Sequence, residues 1–337
     1  MNVSDSERIA TILEKQGYCQ SDEKVADLII VNACSVRQKA VDRIWGKTKI
    51  WQSLNKKILI TGCVLPADLK KFAQKGIRFV LIKNLLNLKN ILQKRSNILQ
   101  NVGGSDNNYF KIKPKHEKDN DIAYVPIMTG CDNFCSYCAV PYTRGREISR
   151  KLEDIIVETK EAVRSGCKEI LLLGQNVNSY QYGFAKLLKT IDKVKGNFKF
   201  NFISSNPHDM TDEIINVIAK LKKWPRKLHL PLQSGDDEIL KKMSRKYTSG
   251  QYLALISKIK YQISNIKLTT DIIVGFPSET KEQFNNTVKL CKKIKFDKAY
   301  IAQYSPRPGT AAAKLKDDVS AAEKKRRWQV LEKLINS

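Results

Sequence analysis

Short apolar runs alternate with helix-patterned stretches along almost the whole chain, and this alternation restricts the fold more than any other feature. In the first third the runs are DLIIVN (27–32), KILITG (57–62) and RFVLI (78–82), each followed by a helical pattern. A strand that is apolar throughout is covered on both faces, and strands separated by helices pair in parallel. The expected class is therefore α/β with parallel sheets. Ser4 is expected to cap a first helix that carries Ile9, Ile12 and Leu13 on one face and ends at Gly17. Residues 96–121 lose the pattern, turn polar and include Gly103, Gly104 and Pro114. The division drawn from this is a first domain at 1–100, a linker at 101–121 and a second domain at 122–337.

The alternation resumes with strands expected at 122–127, 168–173, 198–204, 227–231, 266–274 and 296–304. Six strand–helix units point to a partial or full β/α barrel, whose site lies at the carboxyl ends of the strands. The loops that follow those strands collect Gly, Pro, Asn, His and Gln: GQNVNSY (174–180), SNPHDM (205–210), PLQSGDD (231–237), GFPSET (275–280) and SPRPGT (305–310). Such loops on one rim read as a ligand-binding face. His229 alternates with Leu228 and Leu230, so it points to the opposite face, into the barrel.

With 337 residues, 42% of them hydrophobic, the chain can build two ordinary cores. Its formal charge of +26 favours a polyanionic partner, nucleic acid above all. No apolar run reaches the ~20 residues of a membrane span, and the N-terminus has no signal-peptide core. The expected location is cytoplasmic, where thiols stay reduced, so the eight cysteines read as metal ligands or bystanders rather than disulfides.

Residues 128–150 read MTGCDNFCSYCAVPYTRGREISR and place Cys131, Cys135 and Cys138 in a C-x3-C-x2-C spacing. Zinc would need a fourth ligand, and His116, His208 and His229 all lie outside the loop. Three thiolates on a four-iron cube instead leave one iron without a protein ligand. Cys167 and Cys291 read as packing or exposed residues, and Cys19 as an ordinary loop residue.

This spacing, with Tyr137 just before the last cysteine, resembles the radical S-adenosylmethionine (SAM) enzymes. HLPLQSGDDEILKKMSRKYT (229–248), TDIIVGFPSETKEQF (270–284), YSPRPGTAAA (304–313), NACSVRQKAVDRIWG (32–46) and TGCVLP (61–66) narrow the resemblance to the radical SAM methylthiotransferases. Within them the S-V-R after Cys34 favours the branch acting on isopentenyl-adenosine in tRNA. Sister branches act on threonylcarbamoyl-adenosine in tRNA or on a ribosomal-protein aspartate, and a degenerate iron–sulfur RNA-binding paralogue is the noncatalytic alternative.

The resemblance implies a flavodoxin-like first domain, a partial (β/α) TIM-type radical SAM barrel, SAM and two 4Fe–4S clusters. It also implies a tRNA anticodon-loop substrate, an electron donor such as flavodoxin or ferredoxin, no membrane and a monomer. The open iron would chelate SAM, and one electron would cleave it to a carbon radical able to attack an unactivated adenine C–H. Tyr137 would lie against the SAM adenine, and Gly174, Gln175 and Asn176 would hold its amino group. Ser204, His229, Gln233 and Arg245 would contact SAM or substrate, and Gly275 and Pro277 would form an apolar bed. Arg144 and Arg146 would meet tRNA phosphate or clamp the loop. Cys34 and Cys63 match two of the three auxiliary-cluster cysteines. The third, in a strand before the first helix, is absent from the sequence, as is the family's C-terminal TRAM domain. A late start codon or a gene fragment would explain the first absence. As written, the second cluster is expected to be labile and RNA binding weak and salt-sensitive.

Overall fold

The computed structural model describes residues 1–34, 38–93, 108–114 and 121–337. Ser35, Val36 and Arg37, with Gly103, Gly104 and His116, lie outside the described residues. The first unit comprises α1 (Asn2–Lys15), β1 (Leu28–Cys34), α2 (Gln38–Ser53), β2 (Lys57–Cys63), α3 (Pro66–Gln74), β3 (Arg78–Phe79), α4 (Leu88–Gln93) and a short α5 (Asn108–Lys111). β1 and β2 run parallel from Leu28 opposite Lys57 to Cys34 opposite Cys63, and β3 joins beside β2.

Both faces of this sheet are covered, as its apolar runs require. Ile9 and Ile12 of α1 pack with Leu59, Val80, Leu85 and Leu88. On the other face Ile60, Leu69, Phe72 and Phe79 form a second cluster, where Trp45 stacks on Phe72 at 4.1 Å between ring centroids. β1 is an edge strand among the described residues. Beside it lies a groove of about 650 Å³, lined by α1, residues 18–21 and the β1 backbone from Leu28 to Asn32. An edge of this kind presents unpaired backbone donors and acceptors.

The second unit opens with β4 (Ile122–Pro126) and β5 (Met128–Thr129), then α6 (Val140–Arg144), β6 (Ile148–Ser149), α7 (Leu152–Arg164) and β7 (Glu169–Leu173). It continues through α8 (Phe184–Asp192), β8 (Lys199–Phe202), α9 (Asp212–Ile218), β9 (Lys227–His229), α10 (Asp237–Lys242) and α11 (Ser249–Gln262). β10 (Lys267–Val274), α12 (Lys281–Ile294), β11 (Lys298–Gln303) and α13 (Ala321–Ile335) complete it. The six expected strands form two parallel sheets, ordered β4-β7-β8 and β9-β10-β11, with no ladder between β8 and β9 among the described residues. Their outward side chains, including Ile170, Leu172, Phe200, Phe202, Leu228 and Leu268, share one core with Ile155, Leu187, Ile215, Ile256 and Phe284 of the helices. Each fully buried side chain of this size contributes roughly 1.5–3 kcal/mol. The intervening residues Asn201, His229, Thr269 and Asp271 line an inner cavity of about 440 Å³. Both α11 and α12 begin in capping boxes, Thr248 with Gln251 and Thr280 with Gln283.

Three local expectations change. Ser4 does not cap α1, which starts at Asn2; it is buried, and its hydroxyl donates to the Tyr124 carbonyl at 3.2 Å. The run 78–82 yields only a two-residue strand, because a 3₁₀ turn begins at Ile82. Residues 108–114 of the expected linker are no bare tether: Tyr109, Phe110 and Ile112 are buried against α1 and the Leu85–Leu88 turn.

Candidate radical SAM site

The cysteine loop is closed at its base by a short antiparallel ladder, Met128 opposite Ser149 and Thr129 opposite Ile148. Gly130 sits at φ +81°, and a Cβ there would stand 2.0 Å from the Arg146 carbonyl oxygen, so only glycine lets the two limbs approach. The Gln175 side chain accepts from the Gly130 N–H at 2.7 Å. Ser136, between the cysteines, is held on both sides: its N–H donates to the Met243 carbonyl at 3.1 Å, and its carbonyl accepts from Ala312 at 2.7 Å.

Each of the three sulfurs receives an N–H. Asn133 Nδ2 lies 3.6 Å from Cys131 Sγ, the Val140 amide 3.5 Å from Cys138 Sγ, and Arg245 Nη1 3.2 Å from Cys135 Sγ. Burial pushes the Cys138 thiol up to about 12 and raises that of Cys131, while the Val140 and Asn133 donors pull the other way. In metal-free protein these two thiols are therefore protonated at neutral pH, and metal binding must displace the protons. Among the described residues no group of three or more His, Cys, Asp or Glu converges on a single ion. Three thiols, each receiving an N–H, fit three corners of an iron–sulfur cluster.

The rim loops place most of the expected residues around this loop. Gly174 is packed so closely that a Cβ would meet Met128 Cγ at 2.6 Å, and Asn176 is buried with Nδ2 on Asp209 at 2.8 Å. Arg245 also donates to Asn206 Oδ1 at 2.9 Å and to the Tyr247 hydroxyl at 3.1 Å. Gln233 is buried at φ +68°, and Ser204 has φ +69°, both strained for non-glycine residues. Asn176 Oδ1, Ser205 Oγ and Gln233 Oε1 are buried without a protein hydrogen-bond partner. Three orphaned polar atoms on the loops after β7, β8 and β9 fit a polar ligand such as SAM.

Gly275 (φ +68°) starts a turn in which its N–H donates to Glu279 Oε2 at 2.6 Å, and Arg327 of α13 pairs with the same carboxylate at 2.6 Å. Pro277 is buried in that turn. Tyr137 is partly buried and packs onto the cluster of Ile239, Met243, Phe276 and Tyr304. His229 lies inside the barrel as its alternation indicated, with Nδ1 2.9 Å from Thr269 Oγ1 and Nε2 3.2 Å from Asp271 Oδ2. It shares the inner cavity with Ser204 and Tyr300.

The two arginines part company. Arg146 is 68% exposed, pairs with Asp132 at 3.0 Å and lies 5.4 Å over the exposed Phe134 ring. Arg144 turns inward, its side chain 10% exposed: Nε donates to Cys63 Sγ at 2.8 Å and Nη2 to Asp5 Oδ2 at 2.6 Å. Both bonds run to segments outside the cysteine loop. Cys34 and Cys63 stand in register at the carboxyl ends of β1 and β2.

Sequence reasoning missed Glu147, Asp271 and Asp5. Glu147 accepts from Ser179 Oγ at 2.8 Å and from the Asp132 amide at 3.3 Å, and burial raises its carboxyl. Asp271 was within reach, since alternation along 266–274 puts it on the same face as Thr269. Nothing in the sequence marks Asp5, whose partners lie in distant segments.

Comparison with known proteins agrees with this geometry. Residues 125–291 match the radical SAM superfamily, and residues 1–82 match the uncharacterized protein family UPF0004. The chain is 41% identical to the tRNA-2-methylthio-N(6)-dimethylallyladenosine synthase of Clostridium botulinum, over all of this chain and 79% of that protein. Identity to the synthase of the same name from Carboxydothermus hydrogenoformans is 42%, over all of this chain and 81% of that one. In fold it resembles the radical SAM methyltransferase TsrM from Kitasatospora setae, with TM-score 0.68 at 14% identity over 92% of this chain and 72% of that one. The cobalamin-dependent radical SAM enzyme OxsB gives TM-score 0.64 at 13% identity, over 97% and 52%. The chain belongs to the radical SAM methylthiotransferases, the family that includes the tRNA-2-methylthio-N(6)-dimethylallyladenosine synthases.

Proposed function

We propose that this chain installs the methylthio group of 2-methylthio-N6-dimethylallyl-adenosine in the anticodon loop of tRNA. One observation carries the reading: three thiols, each receiving an N–H, share a rim with three buried polar atoms that have no protein partner. A 4Fe–4S cluster and SAM, when bound, would supply the radical chemistry that an unactivated C–H requires. Cys131, Cys135 and Cys138 would hold the cluster, with Arg245 donating to the Cys135 sulfur. Asn176, Ser205 and Gln233 offer polar contacts to SAM, while the Gly275–Pro277 turn borders it. His229 and Asp271 face the inner cavity, where they orient the base.

The RNA is met by the cationic surface of a chain with net charge +26. Arg146 and the exposed rings of Phe134 and Tyr142 stand beside the loop where an unstacked base must enter. No helix among the described residues is long and apolar enough to cross a membrane. A cytoplasmic monomer reduced by flavodoxin or ferredoxin completes the proposal.

Anaerobically reconstituted protein, given SAM, reductant and tRNA bearing dimethylallyl-adenosine, is expected to yield the 2-methylthio nucleoside by mass spectrometry. Product only on threonylcarbamoyl-adenosine tRNA would move the chain to the sister branch. Tight tRNA binding with zinc in place of iron would leave a noncatalytic binder.

A further inference from the structure

We propose that Phe134 is a stacking platform for the nucleotide beside the modified adenosine, and so sets which base of the RNA loop reaches the site. The proposal rests on the tRNA reading above and adds a residue role that this reading does not assign.

Phe134 lies between Cys131 and Cys135, yet it is 41% exposed where Cys131 is buried. Its backbone sits at φ +47°, a conformation that a bulky aromatic keeps only when its surroundings hold it there. Asn133 next to it, of a type that takes this conformation at less cost, does not carry it. The strain falls on the one large ring of the segment.

That ring is fixed by its neighbours. The Arg146 guanidinium lies 5.4 Å over it, and Tyr142 of α6 meets it at 6.3 Å with the ring planes at 85°. Arg146 is tied to Asp132 at 3.0 Å. The Asp132 and Glu147 amides each donate to the other's carboxylate, at 3.3 and 3.1 Å, across the two limbs of the loop. Two open rings and a cation thus share one braced patch.

An unstacked base presents a π-face that stacks on such a ring whatever its sequence, and the phosphate beside it meets the arginine. A nucleotide therefore satisfies both halves of the patch, in keeping with the net charge of +26. The modified adenosine itself needs an enclosed site that excludes water, which a ring this open does not give. Phe134 holds its neighbour instead.

The test uses the full chain and an anticodon stem–loop RNA carrying dimethylallyl-adenosine, with 2-aminopurine on one side of it or the other. Stacking quenches 2-aminopurine fluorescence, so the wild-type complex is expected to quench one of the two probes. Phe134→Asn puts in a residue that accepts the left-handed backbone, which keeps the loop folded. It is expected to abolish the quenching and weaken binding about 5- to 150-fold, the range for one stacked base. Its salt slope should stay the same, because no charge is lost, and Phe134→Trp should restore affinity and quenching. Arg146→Gln should lower the slope by about 0.7, one phosphate contact on a single strand. Unchanged affinity and quenching in Phe134→Asn would overturn the proposal alone, as would a wild-type complex that quenches neither probe. A wild-type chain that binds no RNA would overturn the tRNA reading and the proposal with it.

Discussion

Cys291 lies on the buried face of α12 at 2% exposure, and burial pushes its thiol up to about 12. The neutral thiol is favoured in the fold, so thiolate at pH 8 is about a thousandfold scarcer than for an unperturbed cysteine. Differential alkylation with iodoacetamide is expected to label exposed Cys19 readily and Cys291 only after denaturation. The native rate at Cys291 should keep rising with pH toward 12; rapid native labelling at pH 8 would contradict the burial. At this scale the sequence was legible wherever chemistry was local. The cluster cysteines declared themselves by spacing, and His229 declared its face by alternation with two leucines. Arg144 was not legible, because an outward phosphate contact and an inward turn look alike until Asp5 and Cys63 arrive from elsewhere in the chain.

Helix α7 shows how elements are joined across the two units. Its Glu158 is fully buried between Arg8 of α1, at 3.2 Å, and Arg150 beside β6. Arg8 also donates to the Ile112 carbonyl, so one arginine links α1, α7 and the 108–114 segment. Removing one member of such a set leaves an uncompensated buried charge. Glu158→Ala is expected to cost about 3–5 kcal/mol, measured as a lower denaturation midpoint, whereas a change under about 0.5 kcal/mol would place the triad at the surface. The strands were readable because apolar runs bounded by turns leave little else to form. The end of RFVLI and the start of α1 were not, because tertiary packing sets both: Leu85 and Leu88 draw the chain into a 3₁₀ turn, and Ser4 is taken up by Tyr124. Residues 108–114 read as linker because their neighbours are polar, and the packing of Tyr109, Phe110 and Ile112 depends on α1 and the Leu85–Leu88 turn.

Across the whole molecule, one loop carries Cys131, Cys135, Cys138 and the arginine that reaches Cys63, so the two candidate metal sites are held in one frame. Around that frame the +26 charge governs RNA affinity. Contact with five phosphates of a single-stranded loop should weaken binding about a hundredfold between roughly 50 and 200 mM salt. A filter-binding titration checks this, and affinity insensitive to salt would mean that base contacts dominate. The most direct measurement is SAM cleavage with metal analysis of the reconstituted protein beside Cys131→Ala. The expected result is iron and sulfide bound with 5′-deoxyadenosine formed, both falling sharply in Cys131→Ala, with about four irons lost per chain. Zinc in place of iron, or 5′-deoxyadenosine formed equally well by Cys131→Ala, would contradict a radical SAM centre at this loop.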